Sequence, residues 1–300
     1  MMITQSFYGN SKACPKVLLV VPHGASGFEV FFKRFPDILD HPEIRRLNGA
    51  FERFLAVEQD RGSSELAHSI ARKLNEMTPE ISIEILELSY PRGLVDGGRI
   101  VSHCLRPFLP DPLLRRHKDA FIQIHQDSVG YVLDQVRSVS DSGGCVLDIH
   151  TMASFCPSGP LDSFQSWESL IPYTRAFDDA CKHGSLRSFD MITADGDGRE
   201  IAHKPLRDEL EKSLKEGGFK LSFNHPYAAL KHFMMNVYMC HGSGIALDLP
   251  KHLLAEDGPD RLDLANFKLC WTKLNRTGLL IAQGVMSYLN LRHQDMSSEP

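Results

Sequence analysis

The stretch Val17-Leu18-Leu19-Val20-Val21 constrains the fold more than any other part of the chain. Five consecutive β-branched and leucine residues leave no polar face. Such a run reads as a strand covered on both sides, the kind found in parallel sheets with helices above and below. It is too short to span a bilayer and lacks the charged lead and small-residue cleavage site of a secretory signal. The pattern recurs along the chain. Residues 81–88 alternate as a strand does, 145–149 form a further apolar run after Gly143-Gly144, and 220–223 and 245–249 read as two more strands. Between them, Leu66, Ile70 and Leu74 fall at helical spacing, with Asp60 or Ser63 placed as a cap, and 112–139, 204–215 and 266–291 also read as helices. Strands alternating with helices predict a three-layer α/β/α fold around a central mixed, mostly parallel sheet. One domain is expected over 16–291, with 1–15 and 292–300 as terminal extensions. Residues 154–172 read as a long irregular loop placed to cover a site.

Composition narrows the partners. At 300 residues, with 42% apolar and 24% charged residues, the chain has the make-up of an ordinary globular domain rather than a disordered or fibrous one. Thirty-eight acids against 33 bases leave a net charge of −5. That gives no basic face for nucleic acid or an anionic membrane, so the partner expected is a small molecule, and the sequence does not define an oligomeric state. The seven cysteines are odd in number and include no Cys-x-x-Cys pair. This argues against a disulfide framework or a thiolate metal cluster and predicts a reducing, cytoplasmic setting.

The phosphate-loop, dinucleotide and His-Glu-x-x-His signatures are absent. Gly24-Ala25-Ser26-Gly27 falls one residue short of a nucleophile elbow, which leaves Ser26 without that signature. What remains is a set of polar residues placed just after, or within, the expected strands: His23, Arg99, Asp148, His150, Asn224 and Asp248. The carboxyl ends of strands are where open α/β sheets bind ligands. Gathering such groups is costly unless something, such as a cation, uses them. Two imidazoles and a carboxylate would leave a fourth position open, as in catalytic zinc sites. More ordinary roles are expected elsewhere: Asp148 orienting His150, His103, His117 and His203 at the surface, Asp195-Gly196-Asp197-Gly198 as a turn, and Met234, Met235 and Trp271 in the core.

Taken in order, Val21-Pro22-His23-Gly24, Asp60-Arg61-Gly62-Ser63-Ser64-Glu65, Arg92 to Arg99, Asp148-Ile149-His150-Thr151, Asn224-His225-Pro226-Tyr227 and Leu247-Asp248-Leu249 resemble the N-formylglutamate amidohydrolase family, among the zinc carboxypeptidase-like hydrolases. The resemblance spans about 17–290. It implies one Zn²⁺ held by His23, His150 and an acid. Asp60 is the choice for that acid, with Glu29 as competitor and 27–59 as an insertion. It further implies that Arg92, His125, Asn224 and Tyr227 bind substrate. The chain departs from the family where Asp96-Gly97-Gly98-Arg99 replaces Asp-Leu-Asn-Arg, where alanines 228 and 229 replace glycines, and where Asp248 replaces a glutamate. The reaction so implied is hydrolysis of an N-acyl amino acid, with Asp248 relaying the proton and Arg99 sharing the charge that grows on the carbonyl oxygen. A carboxypeptidase-like or γ-glutamyl peptide hydrolase, or a non-catalytic binder of an acidic ligand, are the alternatives. All need the rings of His23 and His150 within shared reach of one ion, no more than about 5 Å apart for ligand bonds near 2 Å.

Overall fold

The structure, a computed structural model, describes residues 1–10, 16–24, 28–157 and 166–298. Seven strands form one sheet in the order β1-β3-β2-β4-β7-β5-β6. They are β1 (Ile3–Gly9), β2 (Val17–Val21), β3 (Ser82–Leu88), β4 (Cys145–Met152), β5 (Phe189–Ile192), β6 (Leu221–Phe223) and β7 (Gly244–Pro250). The pairs β3–β2, β2–β4, β4–β7 and β5–β6 are parallel, whereas β1–β3 and β7–β5 are antiparallel. The sheet is therefore mixed and mostly parallel, as the alternation of elements predicts.

The pleat divides the apolar runs between two cores. Val17, Leu19, Val21, Ile83, Ile85, Leu147 and Ile149 pack on one face beneath α5 (Ser63–Met77), α8 (Lys204–Glu216) and α10 (Trp271–Ser298). Leu18, Val20, Leu86, Leu88 and Val146 pack on the other face with the long α6 (Asp111–Asp141) and with α9 (Met234–Cys240). Both faces are covered, which is why Val17–Val21 reads as an unbroken apolar run rather than as an alternation. Each large aliphatic side chain buried this way contributes about 1.5–3 kcal/mol.

Several elements depart from the sequence reading. The segment expected as a terminal extension, 1–15, supplies β1, which pairs along its whole length with β3, Ile3 opposite Leu88 and Gly9 opposite Ser82. Four short helices fill the presumed insertion: α1 (Glu29–Arg34), α2 (Pro36–Asp40), α3 (Pro42–Arg46) and α4 (Ala50–Glu58). The expected loop over 154–172 gives way at its end to a helical turn, Trp167–Ser169, and to α7 (Leu170–His183); its middle, 158–165, lies outside the described residues, as does Ser26. Trp271 is not core: it starts α10 with 56% of its surface exposed, while Met234 and Met235 are buried as expected. Among the described residues no helix is long and apolar enough to cross a membrane.

Candidate metal centre

β3 and β4 lie on opposite sides of β2, so the chain leaves β2 at a point where the strand order reverses, and such crevices are where α/β sheets hold ligands. His23 stands two residues beyond the end of β2. His150 lies inside β4, which runs three residues past the predicted strand. Asp60 arrives from the other direction, in the tight connection between α4 and α5, and its backbone N–H donates to the carbonyl of His23 at 3.0 Å. Asp60 does not cap α5 with its carboxylate. Gly62 takes the position before the helix at φ +96°, and the Ser63 hydroxyl bonds the Asp60 carbonyl, leaving the carboxylate free to face the histidines.

The three side chains meet in a buried cluster, with one donor atom from each within 4.8 Å of the others. The imidazole centroids are 5.2 Å apart with the ring planes tilted at 53°. Asp60 Oδ2 is 3.3 Å from His23 Nδ1 and 3.0 Å from His150 Nδ1. The outer nitrogens each meet another carboxylate: His23 Nε2 is 2.9 Å from Asp96 Oδ1, and His150 Nε2 is 3.2 Å from Asp148 Oδ2. A neutral imidazole carries one N–H, so it cannot donate to carboxylates on both sides. A cation facing both Nδ1 atoms and Asp60 resolves this, with the outer nitrogens left to face carboxylates as is usual for metal-ligating histidines: His23 Nε2 meets Asp96 and the Gly98 N–H at 3.0 Å, and His150 Nε2 makes an ion-pair contact with Asp148 at 3.2 Å without a hydrogen bond. Two nitrogens and one carboxylate oxygen, with a position left over, fit zinc. Glu29, the competing acid, is exposed at the start of α1 and takes no part in the cluster.

The electrostatics follow from this crowding. Burial pushes the Asp60 carboxyl up, but the charges of His23 and Arg92 and hydrogen bonds from both imidazoles override it and hold it well below the usual range. Burial lowers His150, yet Asp148 and Asp60 hold it well above an ordinary histidine. Asp96 is likewise lowered despite its burial, by His23, Arg92 and Arg106.

A cavity of about 910 Å³ opens over the cluster. Asp248 lines it from β7, directly opposite His150 in the strand register. The Asp248 carboxylate is buried, its Oδ1 has no partner, and burial pushes it up to about 7. Arg99 lines the cavity with Nε 3.0 Å from Asp96 Oδ2 and its guanidinium over the Phe233 ring. Arg92 lines it too, but Nη1 is bound to Asp60 Oδ1 at 3.1 Å. Tyr227 lines the same cavity. Asn224 borders it with its amide already used: Oδ1 accepts from the backbone N–H groups of Thr193 and Ala194, both at 2.8 Å. His125 does not line the cavity. Its Nε2 holds the carbonyl of Arg99 at 2.8 Å from behind.

Asp148 lies against His150, and the Asp195 carboxylate accepts from the N–H groups of Asp197 and Arg199, making that segment a turn. His103 is exposed, as its reading as a surface residue expects, and it also borders the cavity with its ring stacked 5.2 Å from that of His232. Among the charged residues lining the cavity, the sequence reading missed four: Glu58, Arg106, Arg187 and Lys251. Lys251, immediately after β7, donates to the carbonyls of Val57 at 3.2 Å and Gln59 at 2.6 Å and so pins the backbone leading into Asp60. Its position after a strand was a usable signal. That of Arg187 was not, because β5 was not recognised.

Two solved structures share this architecture. An N-formylglutamate amidohydrolase from Ralstonia eutropha superposes with a TM-score of 0.57 at 15% identity, over 97% of this chain and 98% of that one. A gene product of Agrobacterium tumefaciens does so with a TM-score of 0.54 at 12% identity, over 97% and 96%. At these identities the likeness establishes the three-layer α/β fold and nothing finer. No family model and no curated protein matches the sequence.

Proposed function

We propose that this protein is a zinc-dependent amidohydrolase that cleaves the amide bond of an N-acyl amino acid of the N-formylglutamate kind. The observation that carries the reading is the meeting of His23, Asp60 and His150, with both Nδ1 atoms turned to Asp60 and both Nε2 atoms turned to outer carboxylates. The fold shared with an N-formylglutamate amidohydrolase supports it. A divalent ion bound there supplies polarisation of a substrate carbonyl and acidification of water.

The chain's own residues do the rest. Asp96 and Asp148 hold the imidazoles in orientation, and Arg92 holds the Asp60 carboxylate. Asp248 projects into the cavity with a free oxygen and an affinity for protons near neutrality, the properties of a group that takes a proton from water and returns it to the leaving nitrogen. The Arg99 guanidinium, fixed on Asp96, offers fixed positive charge to the carbonyl oxygen as it becomes negative.

The test is elemental analysis paired with hydrolysis. The purified protein should carry one zinc per chain and release formate from N-formylglutamate, and His150→Ala should lose both. Zinc retained at wild-type stoichiometry in that variant removes His150 from the ligand set. A zinc-loaded wild type inert on N-acyl amino acids overturns the reading, and turnover confined to carboxy-terminal or γ-glutamyl peptides moves it to those substrates.

A further inference from the structure

Among the described residues four arginines line the cavity, and three of them are committed to carboxylates. Arg92 is bound to Asp60 at 3.1 Å, Arg99 to Asp96 at 3.0 Å, and Arg106 lies 3.6 Å from Glu58 and 3.9 Å from Asp96. Arg187 is different. It is only 9% exposed, and among the described residues no carboxylate oxygen lies within 4.0 Å of it. Its side-chain hydrogen bond goes to Cys156 Sγ at 3.6 Å, a weak acceptor, and its buried Nε has no partner. Asp248 and Tyr227 act on it electrostatically, but no carboxylate touches the guanidinium, and a buried guanidinium left without a contacting anion is unfavourable until a ligand supplies one.

Its placement is also specific. Because β5 runs antiparallel to β7, the residues entering β5 stand at the rim where β4 and β7 end, beside Asp248. The Arg187 backbone N–H donates to the Ser154 carbonyl at 2.9 Å, which ties it to the segment following β4. The Tyr227 ring backs the guanidinium with its centroid 5.6 Å away. The result is a planar fork of donors, held on two sides and open to the cavity, which matches the geometry of a carboxylate.

We propose that Arg187, backed by Tyr227, is the specificity anchor of the site: it binds a carboxylate of the substrate that is not part of the scissile amide. As a statement about a substrate this rests on the amidohydrolase reading, whereas as an anion site it stands on Arg187 alone. The experiment therefore has two arms, run on the zinc-loaded protein and on Arg187→Met and Arg187→Lys.

In the first arm, glutarate should raise the melting temperature of the wild type more than glutaramide does, and Arg187→Met should abolish that difference. Without ligand, Arg187→Met should melt no lower than the wild type, because it removes an unpaired buried charge. A purely structural arginine predicts the reverse: a lower melting temperature with the glutarate preference intact, and that result overturns the proposal. In the second arm, Arg187→Met should raise KM for N-formylglutamate roughly 10- to 100-fold, the worth of a charge-assisted pair, with kcat little changed. Arg187→Lys should recover part of the loss. Of the two analogues with one carboxylate converted to amide, the one lacking the anchored group should no longer distinguish variant from wild type. An unchanged KM overturns the proposal. If no variant and no wild type hydrolyses any of these compounds, the amidohydrolase reading fails while the glutarate comparison still decides Arg187.

Discussion

Gly98 occupies a position where a side chain cannot be placed. A Cβ built there would lie 2.7 Å from His23 Cε1 and 3.0 Å from Nε2, and the ring cannot swing aside because Asp60 and Asp96 grip it from both edges. From sequence, the glycine is only a departure from the Asp-Leu-Asn-Arg pattern. In the structure it is the space the imidazole needs, and its N–H reaches Asp96 Oδ1 at 3.0 Å. Gly98→Ala should therefore weaken zinc binding roughly 10- to 100-fold while leaving the fold intact, as a competitive chelator titration beside a far-ultraviolet spectrum would show. Affinity equal to the wild type would mean that the ring tolerates the methyl. The example marks what was legible at this scale. That His23, Asp60 and His150 would meet was legible, because few residue types can hold a cation and the topology restricts where they stand. The contacts that His125, Asn224 and Arg92 make were not legible, because a sequence names the functional groups without saying which of them hold backbone or one another.

Among the elements, those with long apolar periodicity were readable and the short ones were not. β2, β3 and β7 declare themselves by unbroken or alternating apolar residues, whereas β1 has mixed burial along ITQSFYG and β5 has only four residues, FDMI. The helices α2 and α3 have five residues each and start at prolines, too short for a 3.6-residue period to show. β5 matters most, because it carries Asp190 on the face it shares with Asp248. Asp190 is fully buried, and burial pushes it up to about 6 against the opposing pull of the His225 N–H, the Ser222 hydroxyl and the charges of His225 and Arg187. Its folded value lies above its unfolded value of 3.8, so the folded state binds the extra proton. The associated stability is present below about pH 4 and is lost as pH rises through about 6. Asp190→Asn keeps an acceptor for the His225 N–H and removes that loss. Relative to the wild type, the variant should gain as much as about 3 kcal/mol between pH 4 and pH 8, measured by urea unfolding across the range. A difference independent of pH would show that Asp190 titrates alike in both states.

At the scale of the whole molecule, the centre exists only because distant stretches of chain meet at one rim. His23 comes from the end of β2, Asp60 from the turn between α4 and α5, and His150 from β4, with Asp248 beside them on β7. An unfolded chain offers no such site, so an ion that binds here stabilises the folded state by mass action, about 2.7 kcal/mol at one hundred times its dissociation constant. For a chain of this size that corresponds to a shift in melting temperature on the order of 5 °C. Zinc should therefore raise the melting temperature of chelator-treated protein, and the gain should shrink as pH falls, because ligation needs a deprotonated Nδ1 while Asp148 and Asp60 hold a proton on His150 in the metal-free state. Calcium and magnesium, which prefer all-oxygen shells, should produce little of it. The same titration on Asp60→Asn, which keeps the side chain's size but not its charge, separates a metal site from a buried ion-pair cluster. A metal site loses most of its zinc response in that variant, whereas a cluster that serves only packing shows no response in the wild type either.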